Sequence, residues 1–481
     1  MELAVTIAYL TSISIICLFA SFQLYLIVQY RISKKIKQDS SHLRTFPTVT
    51  VQLPIYNEKY VTERLINAII KLDYPKDKLE IQVLDDSNDE TKDIVDRTIG
   101  KWKEKGFDIN VIRRESRTGY KAGALQNGLN QSKGEFIAIF DADFLPNPDF
   151  LLKTLTHFDE GIGMVQTRWT HINKDYNLLT RMQAFGLDAH FTVEQTGRYH
   201  SGKLINFNGT AGVWRKQCIT DAGGWKAETL TEDLDLSYRA QLKGWKFAYL
   251  EGVVSPGELP TIVQSVKSQQ YRWNKGAAET ARQSIPDILK SNLSIGAKLH
   301  GVAHLLNSSV FLWLLIAATS SVPLLVVQHN LPDYWLWNWS SIFIFGFLVI
   351  TIFYWTAAKG IDQNTSWIRF IKDFPAFLIL SSGLSLHNSI AVSEGYLGIK
   401  SPFIRTPKFN IQDKTIELKK NDYLNFTISP SVILEGLLSI YFLAGIVLGV
   451  YLQEFGFILW HLMLAIGFGY VFYLSLTPLA R

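Results

Sequence analysis

Hydrophobic and polar positions divide the chain into an apolar start, a middle of mixed pattern and a second apolar part. Residues 3–30 carry no charge, and this run is long enough for a helix across a hydrocarbon core of about 30 Å. Arg31, Lys34, Lys35 and Lys37 follow directly, so the positive-inside rule places the N-terminus outside and the next residues in the cytoplasm. A secretory signal would carry its positive charge before the apolar run, so we expect an uncleaved anchor over residues 1–30.

In the middle part, short β-branched runs alternate with amphipathic stretches over residues 46–260. This alternation is typical of βαβ units and predicts a Rossmann-like α/β domain with a parallel sheet. The strands that the pattern predicts are residues 48–53, 80–84, 110–114 and 136–140.

The second apolar part predicts a membrane region over residues 300–481, joined to the α/β domain by an amphipathic interfacial segment, residues 261–299. Residues 366–397 contain Pro375 and Glu394 and a polar stripe, so they either cross the membrane or lie at its surface. We favour an interfacial or re-entrant segment, because it keeps the basic stretch 398–425 in the cytoplasm. With residues 1–30 this gives five spans and a cytoplasmic C-terminus; the later spans are about 301–328, 339–358, 431–452 and 455–478.

Composition removes several classes of protein. Hydrophobic residues make up 47% of the 481 residues and aromatics 13%, which supports a membrane part. The net charge of +5 is mild, and the basic residues cluster beside apolar segments, so nucleic acid is not expected as a partner. Cys17 and Cys218 are the two cysteines, too few for a disulfide framework or a CxxC metal site.

Acidic residues follow three of the predicted strands. Glu58 comes just after the first strand, Asp86 ends the second, and Asp141 and Asp143 end the fourth. Ligands of open α/β sheets bind outside the carboxyl ends of the strands, so we expect these acids to converge on a bound nucleotide. Carboxylates suit Mg²⁺ or Mn²⁺ bridging to a diphosphate, although an isolated DxD triplet is more often a turn with solvated side chains.

Two further motifs carry candidate chemistry. Asp233, in the run Thr-Glu-Asp, is an acid distant in sequence from the DxD and a candidate general base, whereas Glu232 is equally suited to the first turn of a helix. Gln269, Arg272 and Trp273 offer a guanidinium for phosphate and an indole face for a sugar ring. The alternative for that motif is an aromatic and cationic anchor at the membrane interface.

The order of these motifs resembles the processive family 2 glycosyltransferases, which include cellulose, hyaluronan and chitin synthases. The motifs are Asp85-Asp86-Ser87, Arg117 with Lys121-Ala122-Gly123, Asp141-Ala142-Asp143, Phe207-Asn208-Gly209-Thr210, Thr231-Glu232-Asp233 and Gln269-Gln270-Tyr271-Arg272-Trp273. Val165-Gln166-Thr167-Arg168-Trp169 and Leu384-Ser385-Leu386-His387-Asn388 look closest to cellulose-synthase-like enzymes that make mannan, glucomannan or xyloglucan backbones. The resemblance covers roughly residues 45–410 and implies a GT-A fold.

The resemblance also implies roles for individual residues. Asp233 would be the catalytic base, and Asp141 and Asp143 would hold Mg²⁺ or Mn²⁺. The expected donor-binding residues are Glu58, Asp86, Lys121, Asp141, Asp143 and Arg272, and the expected acceptor-binding residues are Glu232, Gln269, Trp273, Trp169 and Gly209. Residues 403–408 are similar to the FxVTxK gating loop of cellulose synthases, with Arg405 in place of Val; the alternative is a basic loop that touches anionic lipid.

These expectations combine into an inverting enzyme that moves a hexose from UDP-glucose or GDP-mannose to a growing β-linked polysaccharide, coupled to secretion and assisted by accessory subunits. A lipid glycosyltransferase of the ceramide or diacylglycerol type is the rival enzyme, with its acceptor in the membrane. A non-catalytic scaffold or glycan transporter is the other alternative, but the four acids Asp86, Asp141, Asp143 and Asp233 are present. The compact length indicates a bacterial inner membrane.

Overall fold

The computed structural model describes residues 2–35, 45–331, 342–401, 404–411 and 429–477. The predicted basic stretch 398–425 therefore lies largely outside the described residues. In the middle of the chain is a seven-stranded sheet with the order β3-β2-β1-β4-β6-β5-β7. Its strands are β1 Val49–Ile55, β2 Leu79–Asp85, β3 Asp108–Ile112, β4 Phe136–Ile139, β5 Ile162–His171, β6 Gly212–Arg215 and β7 Lys246–Gly257.

The expectation of a purely parallel sheet is wrong, because β6 runs antiparallel to both of its neighbours, β4 and β5. The other pairs, β1 with β2, β2 with β3, β1 with β4 and β5 with β7, are parallel. Gly212 begins β6 opposite Ile139, the last residue of β4. The chain thus re-enters the sheet at the edge where β4 ends, without a crossover to the other edge, and such a return gives an antiparallel strand.

Helices cover both faces of the sheet and bury two apolar clusters. In β4, Phe136 and Ala138 belong to the cluster with α2, α3 and α5, while Ile137 and Ile139 belong to the cluster with α4, α8 and α9. This alternation follows from the two-residue period of a strand. The helices of the two layers are α2 Thr62–Ile69, α3 Thr91–Lys103, α4 Tyr120–Gln131, α5 Phe150–Leu155, α8 Lys216–Asp221 and α9 Glu232–Leu242.

A further helical stretch joins the sheet to the apolar helices. It comprises α6 Leu178–Ala189, a π-helical turn His190–Glu194 and α7 Gln195–His200. It packs against α1 Glu2–Ser33 and α13 Ile342–Ile361. The remaining helices are α10 Val263–Lys290, α11 Ile295–Leu306, α12 Val310–Asn330, α14 Trp367–Gly383, α15 Ser385–Leu397, α16 Pro430–Leu452 and α17 Ile458–Leu476.

In the part of the chain that the structure describes, five helical stretches are long and apolar enough to cross a membrane. They are α1, the pair α11 and α12, α13, α16 and α17. Helices α14 and α15 meet at an angle of 51°, which is the geometry of a broken span or a re-entrant loop. The amphipathic helix α10 packs closely on α15, since a Cβ atom added at Gly395 would lie 2.7 Å from the carbonyl oxygen of Lys275.

Candidate active site

An open cleft lies at the carboxyl ends of β1, β2 and β4, the edge where the sequence predicts a nucleotide. All twelve predicted site residues line it, although they come from positions as far apart as 58 and 273. They are Glu58, Asp86, Lys121, Asp141, Asp143, Trp169, Gly209, Glu232, Asp233, Gln269, Arg272 and Trp273. The structure therefore brings the whole predicted set together in one cleft.

Lys121 joins three parts of the cleft. Its Nζ atom lies 2.5 Å from Asp141 Oδ1 and donates to the carbonyl oxygen of Gly209 at 3.0 Å. Glu232 Oε1 is 3.9 Å away. Burial lowers the pKa of Lys121, but the carboxylates of Asp141 and Glu232 outweigh this effect and the net pKa is raised. Lys121 is therefore a firmly charged cation next to the DxD triplet.

Asp233 lies in the first turn of α9, facing the turn that contains Gly209. A Cβ atom added at Gly209 would lie 3.1 Å from Asp233 Oδ2, and Gly209 has a φ of +81° that side chains rarely adopt. Burial, followed by repulsion from Glu232, raises the pKa of Asp233 to about 7. A carboxyl group with this pKa can accept a proton near neutral pH, which suits a general base.

Basic side chains of residues 404–411, here called the cleft segment, enter the cleft. Lys408 Nζ donates to Asp143 Oδ2 at 2.7 Å and to the carbonyl oxygen of Glu258 at 2.8 Å. Arg405 Nε lies 3.2 Å from Glu58 Oε1. Burial raises the pKa of Glu58 to about 8 against the opposing effect of Arg405. Both cations of the predicted gating motif thus contact predicted donor-binding acids.

Other contacts fix the cleft segment to its surroundings. Arg272 Nη2 donates to Thr406 Oγ1 at 2.9 Å, and the backbone nitrogen of Phe409 donates to Glu258 Oε1 at 2.9 Å. Arg64 donates to Asn410 Oδ1 at 2.6 Å. Neither Arg64 nor Glu258 belongs to a motif, and both lie far from the segment in the chain.

Two residues that the motifs did not single out, Arg114 and Tyr56, make contacts on the predicted nucleotide side of the cleft. Arg114 donates to both carboxylate oxygens of Asp86, through Nε at 3.0 Å and through Nη2. The guanidinium of Arg117 lies 3.3 Å from the centre of the Tyr56 ring. Tyr56 directly follows β1, and an aromatic residue at a strand end is the signal that could have identified it.

On the opposite side, Trp169 is held in an aromatic cluster. Its ring lies 5.0 Å from Phe144 and 4.8 Å from Phe191, and its Nε1 donates to the carbonyl oxygen of Thr210 at 3.4 Å. Buried His171 also lines the cleft, and burial lowers its pKa to about 3. His171 was missed by the sequence analysis, because a lone histidine at a strand end carries no motif.

The acids fit a divalent cation bound together with a diphosphate. Across the described ranges, no three His, Cys, Asp or Glu side chains form a group that could hold a metal ion. Mg²⁺ and Mn²⁺ take hard oxygen ligands, and Mg²⁺ is commonly bound by one or two carboxylates plus substrate phosphates. Asp141 and Asp143 supply such carboxylates at the mouth of the cleft.

The mixed sheet, with its acidic cleft at the strand ends, defines a glycosyltransferase domain of the GT-A type. Residues 47–283 match the family model described as glycosyltransferase-like family 2. In fold the chain is similar to the mannosyltransferase PcManGT from Pyrobaculum calidifontis, solved in complex with GDP-Man and Mn²⁺. That similarity has a TM-score of 0.50 at 20% identity and covers 74% of this chain and all of the other.

Curated relatives narrow the class. Glucomannan 4-β-mannosyltransferase 1 of rice is 42% identical over 307 residues, which are 60% of this chain and 59% of the relative. Glucomannan 4-β-mannosyltransferase 9 of Arabidopsis thaliana is 37% identical over 369 residues, 73% of this chain and 65% of the relative. The family model and these relatives together support a cellulose-synthase-like family 2 glycosyltransferase. It spans about half to two thirds of the length of the curated relatives that it matches.

Proposed function

We propose that this chain is a membrane enzyme that transfers a hexose from a nucleotide-sugar donor to a growing β-linked polysaccharide, with inversion at the anomeric carbon. The observation that carries the proposal is the position of Asp233, which has a pKa raised to about 7 and faces the same cleft as Lys121 and the DxD acids. The relatives' names and the GDP-Man in the similar structure favour GDP-mannose as donor, with UDP-glucose as the alternative.

In the proposed reaction, the Asp233 carboxylate takes the proton of an acceptor hydroxyl. The hydroxyl oxygen forms a bond to the anomeric carbon as the bond to the diphosphate oxygen breaks. Direct displacement requires a single base on one side of the sugar, and it inverts the anomeric configuration. A divalent cation held by Asp141 and Asp143 would neutralise charge on the leaving diphosphate.

The other residues of the cleft bind and orient the donor and the acceptor. Lys121 and Arg272 supply positive charge for the diphosphate, and Glu58 lies beside Arg405 on the donor side. Asp86, braced by Arg114, faces the nucleobase. On the acceptor side we place Glu232, Gly209, Gln269, Trp273 and Trp169, where the indole rings offer apolar faces for sugar rings.

The polymer acceptor and its secretion are inferred from the position of α10. This helix carries Gln269 and Trp273 into the cleft and packs on α15. The acceptor site therefore adjoins the helices that the sequence predicts to lie in or on the membrane, which provides a route for product and contact with accessory subunits. We place the cleft on the cytoplasmic side, from the basic residues that follow α1. The plant relatives do not support a bacterial inner membrane.

Asp233→Asn tests the base. The variant keeps the shape of the side chain but cannot accept the proton, so we expect transfer to fall by about a thousandfold while nucleotide binding stays within about twofold. Nucleotide release and product size are measured with a panel of GDP- and UDP-sugars, and Asp221→Asn, on α8, is the matched control. Transfer at the wild-type rate in Asp233→Asn would exclude this base.

Product analysis separates the polymer enzyme from the lipid rival. A polymer synthase incorporates labelled sugar into ethanol-insoluble material that a β-mannanase or β-glucanase digests. A lipid glycosyltransferase leaves all of the label in an organic-phase lipid, and this result would replace the polymer with a membrane acceptor.

A further inference from the structure

A chain of polar side chains runs beneath the acceptor side of the cleft. Gln23 of α1 donates to Glu194 Oε1 at 2.6 Å, and Glu194 Oε2 accepts from His190 Nδ1 at 2.8 Å and from Arg198 at 3.2 Å. His190 Nε2 lies 3.1 Å from Asn208 Oδ1. Asn208 lines the cleft, so the chain connects the first apolar helix to the site.

The chain is built into an irregular turn of helix. His190–Glu194 form a π-helical turn within the continuous stretch from α6 to α7, and single π-helical turns are frequent at functional sites. Glu194 is 7% exposed and Arg198 is 3% exposed. Buried charges are costly unless they are paired, and apolar side chains would pack this position at lower cost. The network reaches the cleft at Asn208, which gives it a role beyond packing.

Hydrogen bonds hold the His190 ring between two side chains. Its ring nitrogens face oxygen atoms, Glu194 Oε2 on one side and Asn208 Oδ1 on the other. Asn208 Oδ1 also accepts from Asn206 Nδ2 at 3.0 Å, which orients the Asn208 amide. The His190 ring, held by the Glu194 carboxylate, thus fixes the side chain of Asn208.

The turn that follows Asn208 is strained and lies against the proposed base. Gly209 has a φ of +81°, which glycine adopts readily, and Ala211 has a φ of +56°, a left-handed conformation that is unfavourable for an L-residue. The carbonyl oxygen of Gly209 accepts a hydrogen bond from Lys121, and the Cα atom of Gly209 faces Asp233. Such a turn keeps its position only when its surroundings hold it firmly.

We propose that His190 and Glu194 are positioning residues, which hold the turn of Asn208 and Gly209 against Asp233 and Lys121 so that the acceptor hydroxyl is aligned for transfer. This inference rests on the proposed function. A displacement of about 1 Å at a reacting group can reduce a rate by about a hundredfold, so a small shift of this turn is sufficient.

His190→Gln and Glu194→Gln in the full-length protein test the proposal, with His200→Gln on α7 as the matched control. We expect kcat for nucleotide release to fall by at least about tenfold in both variants, with KM for the donor within about twofold. His200→Gln keeps the wild-type kcat. Unchanged kcat in the two variants, or a loss confined to donor KM, would overturn the proposal.

A double-mutant cycle asks whether His190 acts through Asn208. If it does, His190→Gln combined with Asn208→Ala loses no more activity than Asn208→Ala alone, whereas independent roles give additive losses. A cryo-EM structure of His190→Gln distinguishes this inference from the proposed function, because it needs no turnover. We expect the turn of Asn208 and Gly209 to move while α6 stays in place, and an unmoved turn refutes the positioning role even if the wild-type protein transfers no sugar.

Discussion

At the scale of single residues, Asp233 and Glu232 are adjacent acids with different surroundings. Glu232 lies 3.9 Å from the Lys121 ammonium, while Asp233 faces Gly209. Burial and the Glu232 carboxylate both disfavour a charge on Asp233, which raises its pKa to about 7. The motif singled out Asp233 as the candidate base, but the burial and the Lys121 contact that distinguish the two acids depend on the fold.

The raised pKa predicts how transfer depends on pH. Only the deprotonated carboxylate can take the acceptor proton, so the rate rises with pH, with a midpoint at about 7, and levels off at higher pH. Glu232→Gln removes a like charge and should move this midpoint to lower pH. Nucleotide release is measured between pH 5 and 9, with nucleotide binding measured at each pH as the control. A rate that does not change between pH 5 and 7 would contradict Asp233 as the base.

Motif order placed the site residues correctly in one cleft, because the carboxyl ends of β1, β2 and β4 meet at one edge of the sheet. The contacts between them were not predictable. The bond between Lys408 and Asp143 joins positions 265 residues apart, and the pair of Arg114 and Asp86 depends on the register of β2 with β3. Long-range pairs of this kind follow from tertiary packing, which spacing along the chain does not encode.

At the scale of elements, the cleft segment forms no helix or strand, and its Lys408 contacts Asp143 of the DxD triplet directly. Lys408 occupies one carboxylate oxygen of Asp143, an oxygen suited to a divalent cation. A metal ion bound at Asp143, as proposed, would therefore compete with the Lys408 ammonium for this carboxylate.

Lys408→Met should strengthen binding of Mn²⁺, because it removes the competing cation while keeping an apolar stem of similar length. We expect the Kd for Mn²⁺ to fall by roughly fivefold, equivalent to about 1 kcal/mol, as measured by electron paramagnetic resonance without donor. The exposed Lys400, four residues before Ile404, provides the control Lys400→Met. Weaker Mn²⁺ binding in Lys408→Met alone would show that Lys408 supports the metal site.

The pattern of the sequence identified β1–β4 but not β5–β7. Short runs rich in β-branched and apolar residues marked β1, β2 and β4. Strand β6 has the same length as β4, but its sequence Gly-Val-Trp-Arg is not such a run. Strand β5 was taken as a motif, Val165 to Trp169, instead of a strand. The antiparallel direction of β6 could not be predicted from its residues, because it depends on where the intervening helices end.

At the scale of the whole molecule, a buried ion pair connects the amphipathic helix α10 to the apolar helices. Lys267 Nζ lies 2.7 Å from Glu435 of α16 and donates to Ser475 of α17 at 2.9 Å. His387 of α15 contacts the carbonyl oxygen of Lys267 at 2.9 Å. The helix that carries Arg272 and Trp273 is thus fixed to three helices at a single residue.

Lys267→Met should destabilise the protein strongly, because it leaves the Glu435 carboxylate buried without its partner, at a cost of about 3–5 kcal/mol. Replacing both residues, with Lys267→Met and Glu435→Leu together, should restore most of the lost stability. Thermal unfolding in nanodiscs measures both variants. If the single and the double replacement lower the stability equally, Lys267 does not stabilise the protein through its ion pair with Glu435.

The cleft segment is joined through the chain to α15, which ends at Leu397, and to α16, which begins at Pro430. It is therefore an intramolecular ligand of its own active site. The local concentration of a group attached in this way does not change with dilution. A nucleotide sugar that binds beside Asp143, as proposed, would have to displace this attached group, so its apparent affinity for the intact chain would be weaker than its intrinsic affinity for the open cleft. Cutting the chain on either side of the segment would remove this competitor and reveal the difference.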